Sequence, residues 1–331
     1  MLFSLGRHGI LTLFHGAAGR CPAVRLIAGS EGVLQVRVFK AKFCRQKYIF
    51  LLVVPGIVWF AVFKFFPLWY ISKAFTDYGT TANPSFIGLD NFRRLFLSPN
   101  FLRAFKNTLI LSFYNIVIYF PLPIILALSM NELGRRMKKV VQFTVYIPYF
   151  FSWVVVGGIF TLMLSPTDGI VNQVIQAMGG EPVYFMADSR YFRGVLVGSQ
   201  IWKEVGYGTV IYIAAISTVD TQLYEAAAVD GAGHLARMWH ITLPCIRSTI
   251  ATVLLLTVSR VLQMFEQIFV MMNDSVKNVA DVLKTYSYFE GMQRGDIGYA
   301  TAIGVFTSVV SLILIISCNI FSKKVLKEEI L

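Results

Sequence analysis

Eight polar side chains stand at regular spacing inside segments that are otherwise apolar. Gln200, Lys203, Glu204 and Tyr207 follow i, i+3, i+4, i+7. At about 100° per residue, that gathers them into one helical stripe about 100° wide. Arg260, Gln263, Glu266 and Gln267 fall within about 120° on a second segment, with Leu262, Phe265 and Phe269 on the opposite face. Charges at membrane depth are costly, so each marks a functional candidate. Two such stripes on neighbouring helices would line a shared, water-filled cavity. The competing expectation is that Lys203, Glu204, Arg260 and Glu266 pair with one another or with a partner chain and only hold a bundle together. Bond-making chemistry has no comparable signature. The four histidines (His8, His15, His234, His240) lie outside the apolar segments, and no nucleophile–base set or metal-ligand spacing occurs. Cys21, Cys44, Cys245 and Cys318 are scattered without CxxC spacing. No GxxxxGK[ST] phosphate loop is present, so ATP energy would have to come from another subunit.

The elements that carry these stripes follow from composition. Of 331 residues, 56% are hydrophobic and 15% charged, with a mean hydropathy of +0.63. A soluble domain of this size would need more charge to cover its core. Apolar runs of bilayer length indicate an all-α integral membrane protein. Six spans are expected, at 48–71, 106–130, 141–164, 192–217, 249–272 and 298–321. They make up a domain over 48–321, preceded by a basic extension over 1–47 and followed by a tail over 322–331. Lys and Arg crowd the extension, the NELGRRMKK connection after the second span (Arg135, Arg136, Lys138, Lys139) and the tail (Lys323, Lys324, Lys327). Six crossings put all three on one side, the cytoplasmic one, with both termini. Arg93, Arg94 and Arg103 are the exception, because they fall in an external connection. The net charge of +12 thus reads as membrane topology rather than nucleic-acid binding.

Residues 218–248 join the fourth and fifth spans on that cytoplasmic side. TQLYEAAAVDGA is a helix former ended by glycine, and HLARMWHITL a second short helix ended by Pro244. The corner between them is small (Ala226, Ala227, Ala228, Gly231, Ala232, Gly233), with Glu225, Asp230, His234 and Arg237 on its edges. Such a protrusion is shaped to enter a cleft, although a plain interfacial loop would also join two spans. The stretch resembles the EAA loop of permease subunits in bacterial binding-protein-dependent ABC importers. The match is Glu225-Ala226-Ala227, three residues, Gly231, nine residues, then Ile241-x-Leu243-Pro244. FIGLDNFRRLF (86–96) resembles the carbohydrate-type members, and residues 265–292 and 299–324 the subgroup for oligosaccharides from polysaccharide breakdown, which includes alginate-oligosaccharide permeases.

The resemblance implies a type I importer permease fold with no catalysis of its own. The loop would dock into a separate ATPase dimer that binds ATP and Mg, Glu225 making the polar contact, Gly231 the corner and Pro244 the return to the membrane. A second homologous permease and an extracytoplasmic solute-binding protein complete the expected assembly. Asn172, Asp188, Asn273 and Asp274 are candidates for contact with the binding protein. Gln200, Lys203, Tyr207, Arg260, Gln263, Glu266 and Gln267 would line the sugar path, amides and hydroxyls meeting sugar hydroxyls and cations meeting uronate carboxylates. The alternative is a secondary transporter with Glu204 or Glu266 as the proton-linked group, which would leave the shaped loop without a task.

Overall fold

The computed structural model describes residues 47–325; the basic extension and the end of the tail lie outside the described residues. Helix is the dominant element, and the described residues hold no strand, only two isolated bridges, Thr76 with Phe86 and Tyr78 with Thr81. The chain divides after Phe66. Before that point lies α1 (Lys47–Phe60), continued by a π-turn over Ala61–Phe65.

After it come α2 (Asp90–Leu97), α3 (Pro99–Tyr114), a π-turn (Asn115–Tyr119) and α4 (Pro121–Asn131). Ser98 starts α3, its hydroxyl accepting from Phe101 N at 3.3 Å, with Pro99 in the first turn where its missing N–H costs nothing. From Pro99 to Asn131 the backbone is one 33-residue apolar helix. Next are α5 (Arg135–Tyr146) with a tight turn over Ile147–Phe150, α6 (Trp153–Met163), α7 (Ile170–Ala177) and the 28-residue α8 (Ser189–Ile216). The 218–248 segment holds α9 (Thr221–Val229), α10 (His234–Arg237), a π-turn (Met238–Thr242) and α11 (Leu243–Cys245). The rest is α12 (Arg247–Val261), α13 (Glu266–Met271), α14 (Lys277–Ala280), α15 (Leu283–Tyr288) and α16 (Ile297–Val325).

Among the described residues, three helices are long and apolar enough to cross a membrane, and up to five if each bent pair counts as one span. α8, about 42 Å long at ~1.5 Å per residue, is also of spanning length. Two expected spans differ from single rods. The third turns by 103° between Phe150 and Trp153. Pro148 cannot continue an α-helix, and the Ser152 hydroxyl restarts one by accepting from Val155 N at 3.3 Å. The fifth stops at Val261 and restarts at Glu266, so its stripe does not follow one helical screw.

α8 is the central post, and α4, α5, α12 and α14 pack against it. Glycines set the closest approaches. A Cβ at Gly206 would lie 2.2 Å from the Val145 carbonyl oxygen of α5, and one at Gly208 would lie 2.9 Å from Pro123 of α4. One apolar cluster gathers Phe101, Leu283, Tyr299 and Ile303, a second Leu111, Phe192, Ile268 and Val282, and a third Ala127, Tyr212, Ile216 and Ile246.

Connections meet in two groups. Arg94 pairs with Asp296 at 2.5 Å and lies over the Tyr299 ring at 4.2 Å, while Gly298 N donates to Tyr78 O at 2.8 Å. The first-to-second and fifth-to-sixth connections therefore share one end, and one of the three arginines expected outside, Arg94, is paired there. Glu132 contacts His234, which puts the second-to-third and fourth-to-fifth connections together. Since Arg94 and Glu132 flank opposite ends of the Pro99–Asn131 helix, these are the two ends of the bundle.

Candidate functional site

The unbroken α8 delivers its four polar residues on one face, and each has a different fate. Gln200 accepts from Asn115 Nδ2 at 2.8 Å through Oε1 and donates to Glu204 Oε2 at 3.4 Å. Asn115 starts the π-turn of the second span, so that turn aims an amide at α8. The Tyr119 hydroxyl donates to the Glu204 carbonyl at 3.4 Å.

Lys203 is 7% exposed. Its ammonium donates to Tyr149 O at 3.1 Å and sits 5.1 Å from the Tyr149 ring and 5.3 Å from the Trp153 ring. This cation is thus committed to the break in the third span. Tyr149 in turn stacks on Tyr207, centroids 4.4 Å apart and planes 6° from parallel, and Tyr207 is 45% exposed. The result is an accessible aromatic face backed by a buried cation.

The second stripe does not stay together. Gln267 turns inward and donates to Leu196 O at 2.6 Å and Ser199 Oγ at 2.9 Å, which ties α13 to α8. Arg260, Gln263 and Glu266 remain exposed. Leu262, expected to share a face with Phe265 and Phe269, is fully buried, whereas Phe269 is exposed and stacks on Phe265. The physical reason is the break at 262–265, which rotates α13 relative to α12. Tyr149, Trp153, Asn115 and Tyr119 were not singled out from sequence. Pro148 was the available signal for Tyr149, because it marks the break on which that ring sits.

The 218–248 loop is defined in detail. The Asp220 carboxylate caps α9, accepting from Gln222 N at 2.9 Å. At the other end Ala232 N donates to Ala227 O at 2.8 Å and Gly231 N to Ala228 O at 3.1 Å, with Gly231 at φ +76°. This is a Schellman closure, and the left-handed φ is why glycine stands there. The second helix does not end at Pro244. The chain opens into a π-turn, Leu243 N donating to Met238 O, and α11 carries Pro244 on to Cys245 before a 66° bend into α12. The Tyr224 and Thr242 hydroxyls, 3.0 Å apart, fasten the first helix to the second. Glu225, Ala226, Asp230 and Gly231 are exposed; Ala227, Ile241 and Leu243 are half-buried. Val229, Leu235 and Trp239 add large exposed apolar side chains around the corner. Of the expected edge charges, His234 contacts Glu132 and also lies 3.2 Å from Arg237 Nη2, so both are used within the chain.

At the opposite end, three of the four docking candidates make hydrogen bonds within the chain. Asn172 is fully buried; its Nδ2 donates to Leu164 O, Ser165 O and Val183 O, and its Oδ1 accepts from Val183 N at 2.7 Å. Asn273 staples its loop through Met186 O and Ser275 N. Asp188 caps α8, accepting from Arg190 N at 2.8 Å; the Arg190 side chain and backbone N–H beside it hold its carboxyl below the usual range. Asp274 is exposed.

An all-helical bundle, a polar and aromatic face at the centre and a rigid loop at one end together describe a membrane permease. The chain belongs to the family of inner-membrane components of binding-protein-dependent transport systems, whose model matches residues 119–327. It is similar to the polygalacturonan/rhamnogalacturonan transport system permease protein YteP of Bacillus subtilis, 42% identical over 294 residues, 87% of this chain and 92% of that one. The arabinooligosaccharides transport system permease protein AraP of the same organism is 28% identical over 80% of this chain and 85% of its own. Among solved structures, a chain of a bacterial alginate ABC transporter in complex with an alginate pentasaccharide-bound periplasmic protein matches with a TM-score of 0.82 and 37% identity. That match covers 88% of this chain and 99% of the other. The chain is thus a permease of the carbohydrate type of ABC importer.

Proposed function

We propose that this permease forms the membrane path of an ATP-driven oligosaccharide importer together with a second homologous permease, an ATPase dimer and an extracytoplasmic solute-binding protein. The observation that carries the reading is the 218–248 loop, a stiff, exposed knob with small residues and Val229, Leu235 and Trp239 at its surface. It docks into the ATPase, which binds ATP and Mg. Closure of the ATPases then turns the bundle outward, and hydrolysis resets it. In this reading the chain crosses six times with both termini cytoplasmic, and the loop faces the ATPase.

The cargo passes along the face made by Gln200, Tyr207, Arg260 and Gln263. Tyr149 and Tyr207 supply a flat apolar surface for a pyranose ring, and the amides meet its hydroxyls. Two of the three relatives above are named for acidic polysaccharides, and exposed Arg260 suits a carboxylate, so acidic oligosaccharides are the favoured class. The test is uptake into liposomes holding the assembled transporter, comparing oligogalacturonides with neutral arabino-oligosaccharides. Gly231→Val is expected to abolish uptake while insertion and assembly stay intact. Uptake driven by an ion gradient with the ATPase omitted would overturn the reading.

A further inference from the structure

We infer that Glu132, the residue that follows α4, is a positioning residue that carries movement of the 218–248 loop into the bundle. The inference rests on that loop being where the ATPase acts. By chain connection alone, the loop hangs from the ends of α8 and α12. The Glu132–His234 contact is a further attachment, made to a residue 102 positions away in sequence. The loop is well made to pull on it. Tyr224 and Thr242 fasten its two helices together, and the Schellman closure fixes the corner one residue pair before His234.

Glu132 is equally well placed to receive the pull. α5 begins three residues later, at Arg135, and it is an arm bent 103° from α6. Its Val145 carbonyl lies against Gly206 of α8, and the turn that follows it carries Tyr149. Tyr149 stacks on Tyr207 and accepts from Lys203. A displacement of Glu132 therefore swings an arm whose far end forms the aromatic face. The contact is also selective, because His234 Nδ1 faces two partners, the Glu132 carboxylate and Arg237 Nη2. One ring nitrogen donates to the first or accepts from the second, not both at once. Arg135, Arg136 and Lys139, exposed at the start of α5, and half-buried Lys138 are the remaining charges on the connection.

The experiment uses the complete transporter in liposomes and follows ATP hydrolysis and uptake together, with an oligogalacturonide or alginate oligomer as probe. Glu132→Lys and His234→Glu are each expected to lower uptake per ATP about fivefold or more, with hydrolysis retained. The double variant sets a cation at 132 against a carboxylate at 234 and is expected to return the ratio to within about twofold of wild type. His234→Lys, which sets a permanent cation opposite Glu132, retains the ratio. Should Glu132→Lys fail to assemble, Glu132→Gln, which keeps the shape and loses the charge, gives the same reading. A wild-type ratio in the assembled single variants, or a double variant no better than either single, overturns the inference. Gly231→Val separates the two ideas. If it abolishes uptake while the Glu132 variants are silent, the loop reading stands and this one falls.

Discussion

The approach of α5 to α8 makes the sharpest structural prediction. Gly206→Ala adds a Cβ 2.2 Å from the Val145 carbonyl oxygen and 2.7 Å from its carbon, both backbone atoms that cannot rotate away. Van der Waals contact needs 3.4 Å, so α5 must retreat by about 1.2 Å. Overpacking of this kind costs about 1–3 kcal/mol. The retreat also reaches Tyr149, one turn further on. Its carbonyl would leave the 3.1 Å bond from Lys203, and its ring would slide from the 4.4 Å stack on Tyr207. The expected result is a lower melting temperature of the purified permease, together with impaired cargo uptake in the assembled transporter. Gly198→Ala is the control on the same helix. Nothing lies within 4 Å of its Cβ, and helix propensity favours alanine there by about 1 kcal/mol. If Gly206→Ala melts at or above the Gly198→Ala variant, the close crossing of α5 and α8 is wrong, and with it the link from backbone packing to the aromatic face.

Four further outcomes are expected. Lys203→Met removes a cation already spent on Tyr149, so uptake of neutral and acidic oligosaccharides should fall by similar factors. Arg260→Gln, by contrast, should weaken acidic cargo alone, by about 1.5–3 kcal/mol, or roughly ten- to hundredfold, in a competition uptake assay. Asn172→Ala strips a buried four-bond staple from the 164–183 loop and should speed proteolysis within that loop, at a cost of about 1–3 kcal/mol for each polar group left unpaired. The backbone N–H of Ser85, with its hydroxyl, holds the Asp77 carboxyl below the usual range. With the folded pKa below the unfolded value of about 3.9, this contribution is complete above that value and lost as pH falls through the folded one. Amide exchange at Ile87, beside the 77–85 turn, should rise in that acid window in wild type and lose its pH dependence in Asp77→Asn.

How far the sequence could be read depended on whether a local rule stayed local. Gln200, Lys203, Glu204 and Tyr207 share a face because α8 runs unbroken, so 100° per residue held across all four. The same arithmetic misplaced Gln267, because the fifth span breaks at 262–265 without a proline or glycine to announce it. What rotates Gln267 is a pair of acceptors on α8, Leu196 O and Ser199 Oγ, which only the tertiary structure supplies. The loop's helix–glycine–helix form was legible, since Asp220, Gly231 and the alanines act on their nearest neighbours. Pro244 misled because a π-turn absorbed its missing N–H. Asn172 looked like a surface contact because loop polarity is silent about burial, while Asn273 is exposed but already bonded to Met186 O and Ser275 N. Lys203 was expected to meet acidic sugars, and the rings of Tyr149 and Trp153 around its ammonium come from tertiary packing that no local rule supplies.

The Schellman-closed corner at Gly231 has a mechanical meaning. A flexible linker between motor and bundle would stretch under load and dissipate part of each stroke as slack. If the loop docks the motor as proposed, one left-handed glycine, two backbone hydrogen bonds and a hydroxyl pair make the connector low in compliance, and a displacement entering at the corner would leave nearly undiminished. The stiffness is set by geometry rather than by bulk. For that reason a single methyl group added at Gly231 is expected to soften the transmission more than several changes on the exposed faces of the same two helices.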